Sequence, residues 1–276
     1  MYVIHYQNNI ATLPLSSDFL PSSNCISYTL MDHKSSVRND VFVNLRKVAI
    51  PDSRFHYDFN EFITDFEGSS LANQRLINHP YYRDATTIFI TPDNCLEELR
   101  HRALLDGKKV LTTSYSIKRG FWLLHKNHIP AEKLLYASTL DGMERVARHV
   151  TLREISRELR EIEYMITGTG AINEEGIRFG KGHGFFDAEY GMLYRIGAVS
   201  KSTPIAAVVH DCQVLRQELQ PEVFDTVADV IFTPSRTLEV KDPHKPTCGI
   251  VWSLLDQHMY NTIPPLQELK AIEDEE

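Results

Sequence analysis

The chain lacks any apolar run of about 18 residues, which excludes a membrane-spanning helix from its reading. Cysteine is scarce. Cys25, Cys95, Cys212 and Cys248 lie far apart and form no CxxC pair, so neither a disulfide framework nor a cysteine zinc cage is spelled out. There is no HExxH among the 12 histidines, and no cysteine–histidine metal spacing. Basic residues are the minority, 29 Lys and Arg against 37 Asp and Glu, for a net charge of −8. That balance argues against a broad basic face for nucleic acid. The opening segment MYVIHYQNNIATLPLSS has no basic stretch followed by an apolar one, so no secretory leader is read. These absences predict a soluble cytoplasmic protein, monomer or homodimer, that acts on a small molecule with no nucleic-acid or membrane partner.

What is present is an ordinary globular composition, 42% hydrophobic and 24% charged over 276 residues. Residues 1–32 are polar and irregular and are expected to be an N-terminal extension. Val37, Val41, Phe42, Leu45 and Val48 recur at helical spacing, and Pro51 closes that helix. Residues 52–86 carry no clear period beyond a short helix from Ser69 to about Asn78. Apolar β-branched runs then alternate with amphipathic stretches. Strands are predicted at 87–91, 108–113, 163–168, 204–210 and 228–234, with a sixth at 248–253. This alternation predicts a single three-layer α/β domain, residues 33–262, built on a mostly parallel sheet. Residues 263–276 end in AIEDEE and read as an acidic, solvated tail.

The chemistry concentrates between Gly168 and Asp187. Gly180, Gly182 and Gly184 alternate in the run Arg178-Phe-Gly-Lys181-Gly-His183-Gly-Phe185-Phe186-Asp187, which sits before the amphipathic segment AEYGMLYRIG. Glycines let backbone N–H groups approach anionic oxygens closely, and a following helix N-terminus adds positive potential. Arg178 and Lys181 supply countercharge. Neither GxxxxGK[ST] nor GxGxxG fits the run. A phosphate-binding loop is the reading these residues favour, against a glycine-rich turn that serves only geometry.

The stretch RFGKGHGFFDAEY resembles the 5-formyltetrahydrofolate cyclo-ligase (methenyltetrahydrofolate synthetase) signature, roughly R-x-G-x-G-x-G-Y-Y-D. VVHDCQVL (208–215), FDTVADVIFTPSR (224–236) and Lys34-x-x-x-Arg38 fall where that family has its later strands and opening helix, with Gln213, Asp225, Asp229 and Thr233 in matching places. The resemblance implies a fold similar to ribose-phosphate isomerases and CoA-transferases. It also implies an enzyme that uses ATP and Mg²⁺ to phosphorylate the formyl oxygen of 5-formyltetrahydrofolate and close the ring to 5,10-methenyltetrahydrofolate. Carried over by position, Lys181 and Arg178 become the catalytic cations. Lys34, Arg38, Gly180, Gly182, His183, Gly184, Phe185 and Phe186 join them around the nucleotide, and Asp187 binds the metal. The chain departs from the pattern at His183 (glycine in the family), Phe185-Phe186 (a tyrosine pair), Ala188 (arginine) and Thr112-Thr113 (a strand-end proline). These departures resemble a divergent branch of the family linked to thiamine metabolism. The alternatives are thus another heterocyclic substrate, or a non-catalytic folate- or nucleotide-binding protein.

Other residues stay open on sequence alone. His210-Asp211 at a strand end is either catalytic or a local turn device. His183 either contacts phosphate or fills space. Glu189 is expected to be a solvated helix residue rather than a second metal ligand. Cys212 reads as a structural thiol rather than a nucleophile. The aromatic run Phe55–Phe59 is expected to pack an insertion against the sheet, with a pocket lining as the alternative.

Overall fold

The computed structural model describes residues 23–275, the side chains of 23–32 excepted; most of the expected N-terminal extension lies outside the described residues. The central sheet has eight strands. In chain order these are β3 (Thr87–Ile90), β4 (Lys109–Thr113), β5 (Phe121–Leu124), β6 (Arg148–Val150), β7 (Tyr164–Thr167), β10 (Ile205–Val208), β12 (Val230–Phe232) and β13 (Thr237–Glu239). They lie in the order β13-β12-β10-β7-β3-β4-β5-β6. The run from β12 to β4 is parallel throughout, while β13 and β5 pair antiparallel to their neighbours. Two small sheets accompany it: β1 (Ala49–Ile50) with β2 (Asp65–Phe66), and β8 (Ala171–Asn173) between β9 (Arg178–Phe179) and β11 (Val214–Leu215).

The parallel strands are buried on both faces, which is why they read as continuous apolar runs rather than alternating ones. Phe89, Leu111, Met165, Ala207 and Ile231 face one side; Ile88, Ile90, Val110, Ile166 and Ala206 face the other. Five longer helices cover the sheets: α1 (Ser23–Leu45), α2 (Ser69–Asn78), α3 (Glu97–Leu105), α4 (Phe185–Arg195) and α5 (Pro264–Glu275). Helices α2 and α3 bury Leu76 and Leu99 against one face, and α4 and α5 bury Leu193 and Leu269 against the opposite one. The expected three-layer α/β arrangement with a mostly parallel sheet is the observed one. No helix among the described residues is long and apolar enough to cross a membrane.

Three expectations are corrected, and one unread stretch is filled in. Helix α1 begins at Ser23, inside the expected extension, and ends at Leu45 rather than at Pro51. Residues 248–253 form no strand: Gly249 takes a positive φ of 63°, and Ile250 packs irregularly against the main core. Residues 264–275 are helical rather than a solvated tail, because Leu266 and Leu269, 0% and 1% exposed, anchor one face in the core, while Glu268 accepts from the Leu152 and Arg153 N–H groups and Glu273 from Trp252 Nε1. Residues 51–64, which carry no clear period, form a compact loop whose ends are closed by the β1–β2 ladder. Phe59 and Phe62 fill the loop's underside against Leu45 of α1.

Candidate active site

From β3 the chain proceeds through β4, β5 and β6 on one side, then returns to β7 on the other and continues outward to β12. The order of strands therefore reverses between β3 and β7, and ligands in open α/β sheets gather beyond the carboxyl ends at such a reversal. A cavity of about 840 Å³ lies there. Asp93, Thr113 and Gly168, from the ends of β3, β4 and β7, line the sheet side, and the Gly180–Gly184 loop and Arg38 line the opposite side.

The loop leaves β9 and enters α4. Gly182 has φ +102°, a backbone conformation that favours glycine, and a Cβ there would stand 3.0 Å from the end of the Arg38 guanidinium, which would have to shift. Gly184, at φ 67°, is the N-cap of α4 and makes no side-chain cap. The first-turn N–H groups and the positive end of the helix dipole are thus uncovered beside the loop.

The cations expected around a phosphate are not equivalent. Lys34 Nζ lies 2.6 Å from both Glu222 Oε2 and Asp225 Oδ2, so its charge is already matched. Arg178 is buried over the Phe186 ring at 4.4 Å and donates to Asp187 Oδ1 at 2.6 Å and to Thr226 Oγ1. Its Nε is buried without an acceptor among the described residues. By contrast, Arg38 donates to Ser35 Oγ at 2.9 Å, and Lys181 Nζ donates to the Glu61 carbonyl at 2.6 Å; among the described residues neither has a carboxylate partner. Burial lowers the affinity of Lys181 for its proton, with nearby Asp93, Glu61 and Glu189 opposing. His183 is exposed and stacks on Phe185 with ring centres 5.2 Å apart.

Asp187 is held firmly. Besides Arg178, the Thr226 N–H and hydroxyl each donate to the same Oδ1 at 2.8 Å. Its second oxygen has no protein partner among the described residues, and Asp225 lies close enough to couple with it electrostatically. No ready cage of three or more metal-ligating side chains exists among the described residues. One free carboxylate oxygen suits Mg²⁺ that arrives with a polyphosphate, since such ions take one or two protein carboxylates plus phosphate and water.

Two further carboxyls share the cavity. Glu189 is 2% exposed and accepts from Thr113 Oγ1 at 2.5 Å, correcting the expectation of a solvated residue: α4 turns this position toward the sheet. Burial pushes its carboxyl up to about 8, Asp93 and Asp187 adding to the shift and the Thr113 bond and Arg178 opposing it. Asp93 Oδ2 accepts from Thr91 Oγ1 at 2.5 Å and from the Gly168 N–H at 2.8 Å, and burial raises it as well. Beneath it Arg100, 1% exposed, donates to the carbonyls of Thr91, Asp93 and Ser138 and so fixes the turn. Sequence reading weighed Glu189 only as a solvated residue or a metal ligand and passed over Asp93, although Asp93 follows an apolar strand at the position where such folds place ligand groups.

His210 and Asp211 do not line the cavity. His210 Nδ1 accepts from the Cys212 N–H at 3.1 Å, and Asp211 accepts from Thr233 at 2.6 Å and Ser235 at 2.5 Å, so they are turn devices. Gln213 donates to the Thr169 and Gly170 carbonyls and fastens the turn after β7. Asp229 accepts from the Ile205 N–H and pairs with Lys245. Cys212 packs beside the aromatic cluster of Phe42, Phe59 and Phe62. Phe55 of the aromatic run lines the cavity, while Phe59 packs inward.

The sequence profile of the 5-formyltetrahydrofolate cyclo-ligase family matches residues 30–234. A methenyltetrahydrofolate synthase domain-containing protein of Danio rerio is 30% identical over 216 residues, which cover 77% of this chain and 56% of that protein. The Homo sapiens protein of that description is 30% identical over 248 residues, 88% of this chain and 62% of the other. The chain therefore spans less than two thirds of the length of these relatives. A solved structure, Aquifex aeolicus 5,10-methenyltetrahydrofolate synthetase, is 15% identical with a TM-score of 0.47, over 77% of this chain and 95% of that one. The profile match runs from α1 through the glycine loop and the strand ends that build the cavity, and on it the chain belongs to the 5-formyltetrahydrofolate cyclo-ligase family.

Proposed function

We propose that this chain is an ATP- and Mg²⁺-dependent ligase that closes a C–N ring in a formylated, folate-like heterocycle. The observation that carries this reading is the pair of cations without carboxylate partners, Arg38 and Lys181, beside a glycine loop and an uncapped helix N-terminus in one cavity. That combination of fixed positive potential and free N–H donors suits a polyphosphate. The orphaned Nε of Arg178 is a further donor that an anionic ligand would satisfy.

An amide-like formyl oxygen is a poor leaving group, and phosphate from the nucleotide would convert it to a good one. The protein's task is then to position two ligands and to balance phosphoryl charge. Gly180–Gly184 N–H groups, Arg38 and Lys181 would bind the phosphates. Arg178 and Thr226 orient the Asp187 carboxylate, whose free oxygen would hold Mg²⁺ and let it neutralise charge. As the amine nitrogen forms the new C–N bond it must lose its proton. Asp93, anchored through Oδ2 and shifted upward by burial, is the acceptor we assign, at Oδ1.

A second reading keeps the nucleotide site and changes the heterocycle, as in a thiamine-related branch. It is favoured by Ala188, 6% exposed, where the resemblance has an arginine. The test is turnover: protein, Mg-ATP and 5-formyltetrahydrofolate, with methenyltetrahydrofolate absorbance and ADP followed together. Equal appearance of both supports the first reading. ATP binding without turnover moves the substrate to the second.

A further inference from the structure

Lys181 is held by groups from outside its own loop. Its Nζ stands 4.7 Å from the centre of the Tyr115 ring and 5.3 Å from that of Phe185, between two aromatic faces. The Tyr115 ring is also backed by Phe55, stacked with centres 5.2 Å apart and planes 18° from parallel. The Tyr115 hydroxyl shares its one proton between the carbonyl and Oε2 of Glu61, both at 2.9 Å, and that carbonyl is the oxygen that accepts from Lys181. Tyr115 therefore braces the ammonium through its ring and braces the acceptor of the ammonium through its hydroxyl. The segment that carries it is strained. Ser116 and Ile117 take φ values of 55° and 59°, a left-handed conformation that a β-branched residue resists and that persists only where surrounding structure enforces it.

We propose that Tyr115 is a positioning residue for Lys181, holding the ammonium over the cavity with a neutral acceptor so that an anionic ligand can take it. The contrast with Lys34 supports this. Two carboxylates hold Lys34, so an anion that recruits it must break ion pairs. An anion that recruits Lys181 displaces only a carbonyl, and the aromatic faces favour the ammonium without neutralising it. Desolvation, which lowers the proton affinity of Lys181, fits an ammonium kept from bulk water. The inference rests on the phosphate-cradle reading only for the identity of the anion.

The test follows Lys181 itself. In the unliganded full chain, acetylation by acetic anhydride is read lysine by lysine by peptide mass spectrometry, with exposed Lys201 as the internal standard. Lys181 is expected to react about tenfold more slowly than Lys201, and Tyr115→Leu to bring the two within about threefold, while Tyr115→Phe, which keeps the ring, stays slow. Phe55→Leu, which removes the backing ring, shifts the rate in the same direction and serves if Tyr115→Leu does not fold. An unchanged Lys181 rate in whichever of these two variants folds overturns the proposal. Calorimetry with Mg-ATP adds a second arm. Tyr115→Leu is expected to weaken binding about fivefold, and Tyr115→Leu with Lys181→Ala to bind no more weakly than Lys181→Ala alone. Additive losses overturn the proposal. If Mg-ATP does not bind the unmodified chain, the nucleotide reading fails, and the acetylation comparison still decides for Tyr115.

Discussion

Lys34 Nζ and Asp225 Oδ2 stand 2.6 Å apart and tie α1 to the segment that precedes β12. Because Glu222 shares the same ammonium, the three side chains form one clamp in the wall of the cavity. Lys34→Ala should lower the unfolding free energy by about 2 kcal/mol, since it leaves two carboxylates together beside Asp187 with no cation. Urea denaturation measures this, and an unshifted midpoint would show that the clamp contributes nothing.

Arg38 and Lys181 should behave in the opposite way. Lys181→Ala and Arg38→Ala are each expected to remove most of the rise in melting temperature that Mg-ATP produces, while the unliganded protein melts within about 3 °C of the original. Thermal unfolding with and without Mg-ATP separates the two effects. Undiminished nucleotide stabilisation in both variants would remove the loop from the binding site.

Asp187→Ala should be costly before any ligand is present. The change leaves the Arg178 guanidinium buried without its counter-ion and the Thr226 N–H without an acceptor. A loss of about 3 kcal/mol is expected by chemical denaturation, with Asp187→Asn losing less because it keeps an acceptor oxygen. Equal stability of Asp187→Ala and the original chain would contradict the described contacts.

Glu189 sets a pH dependence. Its carboxyl is raised to about 8 in the folded state, so the folded state holds the proton more tightly than the unfolded one. Its contribution is fully present below the ordinary glutamate range and is lost as pH rises through about 8. In metal-free protein the unfolding free energy should therefore fall between pH 5 and pH 8.5, by on the order of 3 kcal/mol from this group. Glu189→Gln should flatten that slope and be the more stable form at the alkaline end. Parallel slopes for the two proteins would place the carboxyl in water.

Helix α5 bears on stability rather than solubility. Leu269→Ala is expected to cost about 3 kcal/mol, the range for opening a cavity in a packed core. A midpoint unchanged in urea would return the segment to the solvated tail that its charge suggests.

How far the residues announced all this depended on where each signal resides. Strands β3, β7, β10 and β12 were legible because both faces are buried, so every position is apolar. Strand β5, Phe121–Leu124, was not marked off, because antiparallel hairpin pairing needs no crossover helix to frame it. CGIVWS misled because apolar content was read as strand, while its residues cover the main core as irregular chain. The acidic ending of α5 outweighed Leu266 and Leu269, although their spacing is helical. In the site, the glycines and cations of 178–187 were readable as residue types. Their pairing was not: Lys34 is matched by Glu222 and Asp225, far along the chain, and Arg178 by Asp187 of its own segment, a residue read only as a metal ligand. The Glu61 carbonyl that holds Lys181 is backbone, and no side-chain pattern encodes it.

The reversal of strand order between β3 and β7 has a consequence for assembly. The two strands are joined only after the chain between Ile90 and Tyr164 has been laid down as β4, β5 and β6. Pairing across such a separation is slow, because loop-closure entropy must be overcome before any contact rewards it. Asp93 arrives with the earlier half of the sheet, while Gly168 and the glycine loop arrive with the later one, so neither half alone holds the complete site. Competence to bind should then appear in one late kinetic phase, and the cavity itself becomes a reporter of when the β3–β7 seam closes.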